Sequence, residues 1–431
     1  MKRKFSEKLL AWKNNSLARK PLLVYGARQV GKTYIIKDFA QQHFKSMVYL
    51  NFEKKPELRS IFEGDLSPIH INSLLEAYFS IEISAEHTLI FFDEVQLCPL
   101  ALTSLKYFAE EAREYCVIAA GSLLGVAVNK EKISFPVGKV QIETLYPMDF
   151  EEFLWALNKH KLIEMVRECF QSNQALLEIF HKQAKELFYA YLLIGGMPEV
   201  VDSWINAQNY LAVQNIQNNI LTAYLADMAK YTSASVALKV RTAYLSIPAQ
   251  LAKENKKFQY KLLKKGASAS HFGEALDWLE ASGIVIKCQK VDQGLSPLAG
   301  YVDLSAFKLY MSDVGLLSKS LDLSMENLLS RDAKNLFKGA IMENYVAQCL
   351  VCKGYKLYYW ESQSIAELDF IVNLEGSPIP IEVKSSENVR SRSLGVYIKK
   401  YNPAYSIRVS MKNFGLENNI KTVPLYAVFL I

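Results

Sequence analysis

The sequence predicts an α/β multidomain fold, and three observations carry the prediction. The amino-terminal third alternates helical patterns with continuous apolar runs, which are typical of parallel strands buried on both faces. The middle of the chain changes to helical periodicity, and the final part returns to strands joined by a tight turn. Half of the 431 residues are apolar, enough for several cores.

Charge and cysteine usage narrow the class of protein. The formal net charge of +6 is mild, so it permits nucleic-acid binding without requiring it. The six cysteines lie mostly in apolar runs, which is typical of a reduced, cytosolic protein. Cys349 and Cys352 form a C-x-x-C within a helical pattern, which favours helix packing over a zinc site. With no signal-peptide core at the start and no apolar stretch of bilayer length, we expect a cytoplasmic protein without a membrane partner.

The first chemical motif is a glycine-rich loop after the apolar run Leu22–Tyr25. It has the form G-x-x-x-x-G-K-T, in which glycines allow a tight turn and backbone N–H groups surround phosphate oxygens. Lys32 is expected to reach the β- and γ-phosphates of a nucleotide, and the Thr33 hydroxyl to hold Mg²⁺. The sequence therefore predicts a P-loop whose nucleotide-binding residues are Gly26, Ala27, Arg28, Gln29, Val30, Gly31, Lys32, Thr33 and Tyr34.

Two further strands are expected after this loop, Met47–Phe52 and Thr88–Phe92. The second of them leads directly into Asp93 and Glu94, which is the Walker B pattern. Ligands of parallel α/β sheets bind at the carboxyl ends of the strands, so both motifs are expected to meet in one crevice. There Asp93 would hold Mg²⁺ opposite Thr33, and Glu94 would polarise the attacking water.

A fourth strand, Cys116–Ala120, is followed by Gly121 and Ser122. Ser122 is a candidate for contacting the γ-phosphate or the attacking water, although Gly-Ser is also common in simple turns. We expect this strand to lie between the P-loop strand and the metal carboxylate in an ATP-hydrolysing domain of residues 1–150. Lys139 is either a charge-neutralising side chain or an ordinary solvated lysine.

The middle of the chain is predicted to contain a helical domain, residues 151–234, followed by a winged helix, residues 235–328. In the first, a Gly195–Gly196 break precedes a helix that begins at Pro198, and Tyr210–Met228 is helical. The winged-helix segment has three helical patterns, which are Leu238–Leu251, Tyr260–Lys264 and Ser268–Ser282. Two expected strands follow, Ile284–Cys288 and Phe307–Met311.

Lysines surround the presumed helix-turn-helix of this winged helix. Such lysines can neutralise DNA phosphates. The presumed recognition helix nevertheless carries Glu274, Asp277 and Glu280, so a packing module without DNA contact is the alternative. The lysines are Lys253, Lys256, Lys257, Lys261, Lys264 and Lys265.

The last domain, residues 329–431, is expected to carry a second set of acidic residues. The helical pattern Ala340–Cys352 contains Glu343, and Asp369 and Glu382 lie on consecutive strands of a hairpin. Lys384 follows Glu382 by two positions and so faces the same side of its strand. This pattern predicts a PD-(D/E)xK nuclease-like α/β domain in which Asp369 and Glu382 hold Mg²⁺ and Lys384 positions the nucleophile. The alternatives are a nuclease-like fold that binds without cutting and a carboxylate pair that is simply salt-bridged to Lys384.

Taken in order, these motifs resemble a family of AAA+-superfamily ATPases of bacteria and archaea that end in an endonuclease-like domain of unknown function. The resemblance covers essentially the whole chain. It implies ATP binding by the first, ASCE/AAA-type domain, and it suggests roles for Asp369, Glu382 and Lys384. The motifs that carry it are Arg19–Leu22, Gly26–Thr33, Phe92–Gln96, Leu145–Phe150, Gly195–Glu199, Lys308–Gly315, Glu367–Phe370 and Ile381–Lys384.

The leading hypothesis is an Mg²⁺-dependent ATPase, with ATP and Mg²⁺ as cofactors, coupled to a nuclease-like domain that acts on DNA or RNA. One alternative is an ATPase switch whose last domain binds a protein or nucleic acid without cutting. Another is a DNA-binding regulator that uses the winged helix. A homo-oligomer is compatible with each of them.

Overall fold

The computed structural model describes residues 1–16, 18–122, 135–230, 232–329, 336–362, 366–385 and 392–431. These residues form two compact units. The first unit contains Met1–Tyr146 and Ala281–Gly283, and the second contains Pro147–Glu280 and Ile284–Ile431. The expected domain boundaries at 150, 234 and 328 stay predictions.

The first unit is built on a five-stranded parallel sheet with the strand order β2-β3-β4-β1-β5. The strand β4 lies between β1 and β3, so the expected extra strand between the P-loop and the metal carboxylate is confirmed. The edge strand β5 was not predicted, because its sequence Gln-Ile-Glu-Thr has no apolar run. The strands are β1 (Leu22–Tyr25), β2 (Ser46–Asn51), β3 (Thr88–Asp93), β4 (Cys116–Ala120) and β5 (Gln141–Thr144).

Over its described residues, the first unit also contains four α-helices that connect or flank these strands. Strands β3 and β4 are buried along their whole length, which explains why they consist of apolar residues on both faces. Phe52, Phe62 and Phe92 pack edge against face in the core beside them. Because the strands run parallel, the ends of β1, β3 and β4 lie at the same edge of the sheet. The helices are α1 (Phe5–Asn14), α2 (Lys32–His43), α3 (Pro68–Phe79) and α4 (Pro99–Glu111).

The second unit begins with helices, as the periodicity predicts. The break at Gly195 and the helix beginning at Pro198 are both found, and the expected helix over Tyr210–Met228 extends to Lys230. The first seven helices are α5 (Phe150–Ala156), α6 (His160–Ser172), α7 (Glu178–Ile194), α8 (Pro198–Ala207), α9 (Tyr210–Lys230), α10 (Ala234–Leu251) and α11 (Ala269–Ala281). The remaining four α-helices of the described ranges are α12 (Val314–Ser320), α13 (Met325–Leu329), α14 (Leu336–Cys352), which contains Cys349 and Cys352, and α15 (Arg392–Tyr401).

An eight-stranded mixed sheet forms the rest of the second unit, in the order β12-β13-β11-β10-β9-β8-β6-β7. The predicted hairpin of the last domain is present as β9 and β10, which pair antiparallel. The strands are β6 (Val285–Val291), β7 (Val302–Met311), β8 (Tyr358–Ser362), β9 (Ala366–Leu374), β10 (Ser377–Val383), β11 (Ser406–Ser410), β12 (Gly415–Glu417) and β13 (Ile420–Pro424).

The segment expected to form a winged helix joins this mixed sheet. Its helices and its β6–β7 hairpin occur close to the expected positions. However, β6 also pairs with β8 in parallel, from Gln289 opposite Tyr358 to Val291 opposite Trp360. The hairpin is therefore continuous with the sheet that carries β9 and β10, and the winged-helix assignment stays a prediction.

Three of the sequence motifs meet at a buried junction in the second unit. The Asp313 carboxylate accepts hydrogen bonds from the N–H groups of Gly196, at 2.6 Å, and Leu316, at 2.9 Å. The Met148 N–H donates to the Gly196 carbonyl at 2.7 Å, and a Cβ on Gly196 would lie 1.9 Å from the Met148 carbonyl oxygen. Glycine is required here because the two backbones are in direct contact.

Among the helices of the described ranges, none combines the length and the apolar character needed to cross a membrane.

Candidate functional site

The glycine-rich loop leads from β1 into α2 through two unusual backbone conformations. Gly26 has φ = 146°, and a Cβ there would lie 2.3 Å from the Leu145 carbonyl oxygen. Gly31 is left-handed, with φ = 93°, and immediately precedes the first residue of α2. Glycine is needed at both positions, since a side chain would clash at one and strain the backbone at the other. The loop therefore ends at a helix amino terminus, where anions are stabilised.

Lys32 is buried beneath this loop and donates back to it. Its Nζ lies 2.9 Å from the Gly26 carbonyl oxygen, 2.8 Å from the Ala27 carbonyl oxygen and 3.4 Å from Ser122 Oγ. Burial lowers the pKa of Lys32 to about 8, although Glu94 and Asp93 act to raise it. A phosphate group can replace the two carbonyls as partner and supply a full negative charge to the ammonium.

Thr33 and Asp93 lie next to each other at the end of β3. The Thr33 hydroxyl donates to Asp93 Oδ2 at 3.0 Å. The same oxygen accepts from Tyr49 Oη at 2.8 Å and from Asn51 Nδ2 at 3.2 Å. Burial raises the pKa of Asp93, while the hydrogen bonds from Tyr49 and Thr33 lower it. A hydroxyl beside a carboxylate is the oxygen donor set that Mg²⁺ prefers, so these residues fit the expected ion.

Glu94 follows Asp93 and is oriented by two side chains. Gln96 Nε2 donates to Glu94 Oε2 at 2.6 Å, and Ser122 Oγ lies 3.5 Å from Glu94 Oε1. Because Ser122 also lies beside Lys32, it connects the lysine to the glutamate. The structure thus brings together the five sequence-predicted residues with chemical roles, which are Lys32, Thr33, Asp93, Glu94 and Ser122.

The other predicted loop residues have plainer environments. Ala27 and Val30 are buried, Gln29 and Tyr34 are exposed, and Arg28 lies 3.8 Å from Glu53 in an ion pair. The buried side chains of Ala27 and Val30 hold the loop against the sheet. Away from the loop, Lys139 pairs with Glu110 at 2.8 Å on the surface.

Sequence reasoning missed four residues of this site, namely Arg3, Tyr49, Asn51 and Gln96. Arg3 donates to the Val30 carbonyl at 3.2 Å and so supports the loop from the start of the chain, a contact without any local signal. Asn51 ends β2 directly opposite Asp93 in the parallel register. It could have been found, because polar residues at neighbouring strand ends converge.

The predicted acidic residues of the last domain also come together. Asp369 on β9 accepts a hydrogen bond from the Val383 N–H of β10 at 2.8 Å. Glu382 Oε1 lies 2.5 Å from Lys384 Nζ, and its Oε2 accepts from the Leu394 N–H at 3.0 Å. Glu382 and Lys384 therefore form an ion pair on one side of β10.

Glu343 on α14 completes this group and is held by cations. It is buried, and it pairs with Lys256 and with Lys308, whose Nζ lies 3.0 Å from Oε1. Tyr310 Oη donates to the same oxygen at 2.6 Å. Burial alone would raise the pKa of Glu343, but the two lysines lower it to about 2. Burial, together with the charge of Glu343, raises the pKa of Asp369 to about 7.

Four members of this group were not predicted as site residues: Lys256, Lys308, Tyr310 and Glu367. Lys308 and Tyr310 lie two apart on β7 and therefore face the same side of the sheet. Lys308 and Tyr310 reach this group because β7 belongs to the same sheet as β9. The local sequence around β7 does not reveal that pairing. Across the described ranges, no set of three or more His, Cys, Asp or Glu side chains is arranged to hold a metal ion.

Comparison with protein families matches three consecutive parts of the chain. Residues 18–154 match a family described as an AAA domain, which covers the P-loop and all five strands of the first unit. Residues 185–327 and 338–428 match two families described as domains of unknown function (DUF8612 and DUF4143). The chain therefore contains an AAA-type P-loop domain followed by regions whose families have no described role.

Two relatives in sequence are described as uncharacterized proteins. One from Mycobacterium tuberculosis is 30% identical over 125 residues, which span 27% of each chain. One from Methanocaldococcus jannaschii is 23% identical over 204 residues, 47% of this chain and 39% of the relative. The matched segments thus span well under half of each relative's length.

Two solved structures share a partial likeness with this chain. The Walker-type ATPase PABY2304 of Pyrococcus abyssi has a TM-score of 0.45 and 14% identity, covering 74% of this chain and 95% of that one. The Aeropyrum pernix ORC2 protein, solved as ADPNP-ADP complexes, has a TM-score of 0.36 and 14% identity, covering 79% and 93%. Both TM-scores are below 0.5. The AAA-type fold of the first unit is therefore supported by its strand order and by the match to the AAA domain.

Proposed function

We propose that this chain binds ATP together with Mg²⁺ and hydrolyses the nucleotide at the P-loop of the first unit. The observation that carries the proposal is the contact between Thr33 and Asp93, with Lys32 and Glu94 joined beside them through Ser122. A glycine-rich turn that was merely structural would not need a buried lysine, a buried carboxylate and a second carboxylate at one sheet edge.

Each residue has a distinct role in this proposal. Lys32 exchanges its loop carbonyls for the β- and γ-phosphates and neutralises the charge that develops on transfer. Thr33 and Asp93 would hold the magnesium ion, which would offset phosphate charge and help to orient the phosphates. Glu94 accepts a proton from the attacking water, and Ser122 contacts the γ-phosphate or that water.

Phosphate release from ATP in Mg²⁺ tests the proposal directly. Lys32→Ala and Glu94→Gln should each lower turnover by roughly a hundredfold or more, because each removes a group that acts in the transition state. Lys45→Ala, at an exposed lysine of the same unit, is the matched control and should turn over normally. Absence of hydrolysis in the unaltered protein, with no nucleotide binding, would refute the proposal.

For the second unit, we propose a nuclease-like domain that serves the ATPase as a binding module and does not cut nucleic acid. Cleavage, which belongs to the leading hypothesis from the sequence, requires Mg²⁺ between Asp369 and Glu382. The residues present do not fit that ion, because a lysine ammonium pairs with Glu382 Oε1 and backbone N–H groups donate to Glu382 Oε2 and Asp369 Oδ2. At Asp93, by contrast, the side-chain donors are neutral, and one of them, the Thr33 hydroxyl, is itself an expected ligand. This favours the ATPase-switch hypothesis over cleavage.

Incubation with single- and double-stranded DNA and RNA in Mg²⁺, with and without ATP, separates the two hypotheses. A binding module leaves all four substrates intact. If the module binds nucleic acid, its affinity will fall as the salt concentration rises. If neither DNA nor RNA binds at low salt, a protein partner is favoured. Cleavage that disappears in Asp369→Ala would establish the nuclease instead.

A further inference from the structure

We propose that lysines of the protein itself, with Lys308 at the centre, compensate the acidic cluster of the second unit in place of a divalent metal ion. The Lys308 cluster is defined here as Lys256, Lys308, Tyr310, Glu343, Glu367, Asp369, Glu382 and Lys384. The proposal rests on the non-cutting role proposed above and gives it a chemical cause: the carboxylates are neutralised from within the protein.

The position of Lys308 supports this assignment. Its side chain is 0% exposed, and Nζ lies 3.0 Å from Glu343 Oε1 and 2.5 Å from Glu367 Oε1. The Tyr359 ring faces it, with Nζ 5.0 Å from the ring centroid. A buried ammonium ion without such partners would lose its proton, since burial disfavours the charged form. Here the neighbouring carboxylates outweigh burial and hold the pKa of Lys308 well above its usual range.

The carboxylate oxygens that would bind a metal ion already have partners within the protein. Glu343 Oε1 accepts from Lys308 and Tyr310, and its Oε2 pairs with Lys256. Glu382 has a partner on each oxygen as well. Mg²⁺ and Mn²⁺ require about six oxygen ligands in a near-octahedral arrangement, so binding would break several of these contacts at once.

Charge leads to the same conclusion. Within the cluster, the four carboxyl groups face three ammonium groups, Lys256, Lys308 and Lys384. Three of the four carboxyl groups pair with these ammonium groups, so most of the negative charge is compensated within the protein. A divalent cation would therefore leave uncompensated positive charge in a buried place.

The test compares thermal unfolding in Mn²⁺ and in EDTA, without nucleotide. Asp93→Asn serves as the parent, because it removes the metal carboxylate of the first unit. The parent should unfold at the same temperature in both solutions. In that parent, Lys308→Met keeps the side-chain length and removes the charge. It should lower the unfolding temperature of the second unit by roughly 5–15 °C and make that temperature rise with Mn²⁺.

A double variant provides the matched control. Adding Glu343→Gln to Lys308→Met removes one carboxylate charge with the ammonium, so it should recover part of the lost stability and abolish the Mn²⁺ response. If Lys308→Met does not fold, titration of the parent with Mn²⁺ by calorimetry still decides, since no saturable binding is expected below millimolar concentration.

Saturable Mn²⁺ binding to the parent that is lost in Asp369→Asn would overturn the proposal. The proposed non-cutting role fails separately, through nucleic-acid cleavage that depends on Asp369. Metal binding without cleavage would therefore refute only the role of Lys308, whereas cleavage would refute both.

Discussion

At the scale of single residues, the environment of Lys32 predicts how nucleotide binding depends on pH. The pKa of Lys32 is lowered to about 8, first by burial, so the free protein loses this charge as pH rises through 8. Phosphate favours the ammonium form and raises the pKa on binding. A non-hydrolysable ATP analogue with Mg²⁺ should therefore bind with proton uptake at pH 8.5 and with little uptake at pH 7.

Calorimetry in buffers of different ionisation enthalpy measures that uptake. Lys32→Arg keeps a permanent charge, so it should show no uptake at either pH. The same proton count at both pH values in the unaltered protein would show that Lys32 is not the group that meets the phosphates.

Gln96 provides a second prediction at this scale. Its hydrogen bond to Glu94 fixes one oxygen of the proposed general base, at 2.6 Å. Gln96→Ala should lower kcat roughly tenfold and leave KM for ATP nearly unchanged, because the bond orients a group that acts on water rather than on bound ATP. Steady-state turnover measures both constants, with Gln42→Ala, at an exposed position, as control. An unchanged or increased kcat would contradict this role.

At the scale of elements, the glycine junction predicts a difference in stability. Gly196→Ala would place a Cβ 1.9 Å from the Met148 carbonyl oxygen, so the backbone around Met148 must shift. We expect the free energy of unfolding to fall by about 2–4 kcal/mol. The control is Gly339→Ala in α14, where a Cβ would meet nothing within 4 Å. That variant should gain up to ~1 kcal/mol.

Denaturant unfolding of the two alanine variants checks this prediction. Equal free energies of unfolding would show that the backbone at Met148 can move away from position 196 without loss of stability. They would also show that Asp313 does not hold the segments of Met148 and Gly196 in place.

The lysine-rich segment between α10 and α11 predicts how nucleic acid would be bound, if it is a ligand. Lys261, Lys264 and Lys265 are exposed, whereas Lys256 is engaged by Glu343. Reversing the three exposed lysines to glutamate should weaken DNA binding and reduce the slope of log affinity against log salt by about three. Fluorescence anisotropy at several salt concentrations measures both quantities.

A matched triple reversal on other exposed lysines controls for net charge. It should change the salt slope far less, because those side chains lie on other elements. Equal effects of the two triple variants would show that the lysine-rich segment is not a specific contact surface. The control positions are Lys161, Lys182 and Lys412.

Local sequence patterns predicted most helices and strands, but only some of the pairings between strands. Continuous apolar runs located β1, β3 and β4, and the P-loop and Asp93 motifs implied their common edge. The hairpin of β9 and β10 follows from its turn. The pairing of β6 with β8 could not be predicted, because parallel partners 69 residues apart, such as Gln289 and Tyr358, leave no periodic signal. Lys308 was missed as a site residue for the same reason.

At the scale of the whole molecule, the chain combines an AAA-type P-loop domain with a second unit that contains an acidic cluster. The first unit brings together the five side chains to which we assign roles in nucleotide hydrolysis, Lys32, Thr33, Asp93, Glu94 and Ser122. In the second unit, three carboxylates of that cluster, Glu343, Glu367 and Glu382, are paired with lysines. The two units thus support different proposals: turnover of ATP in one and binding without cleavage in the other.

The most direct test of this account measures phosphate release and nucleic-acid cleavage in one Mg²⁺-ATP reaction that contains single- and double-stranded DNA and RNA. We predict phosphate release that is lost in Lys32→Ala, retained in Lys45→Ala and accompanied by intact nucleic acids. No phosphate release, or cleavage that disappears in Asp369→Ala, would contradict the account.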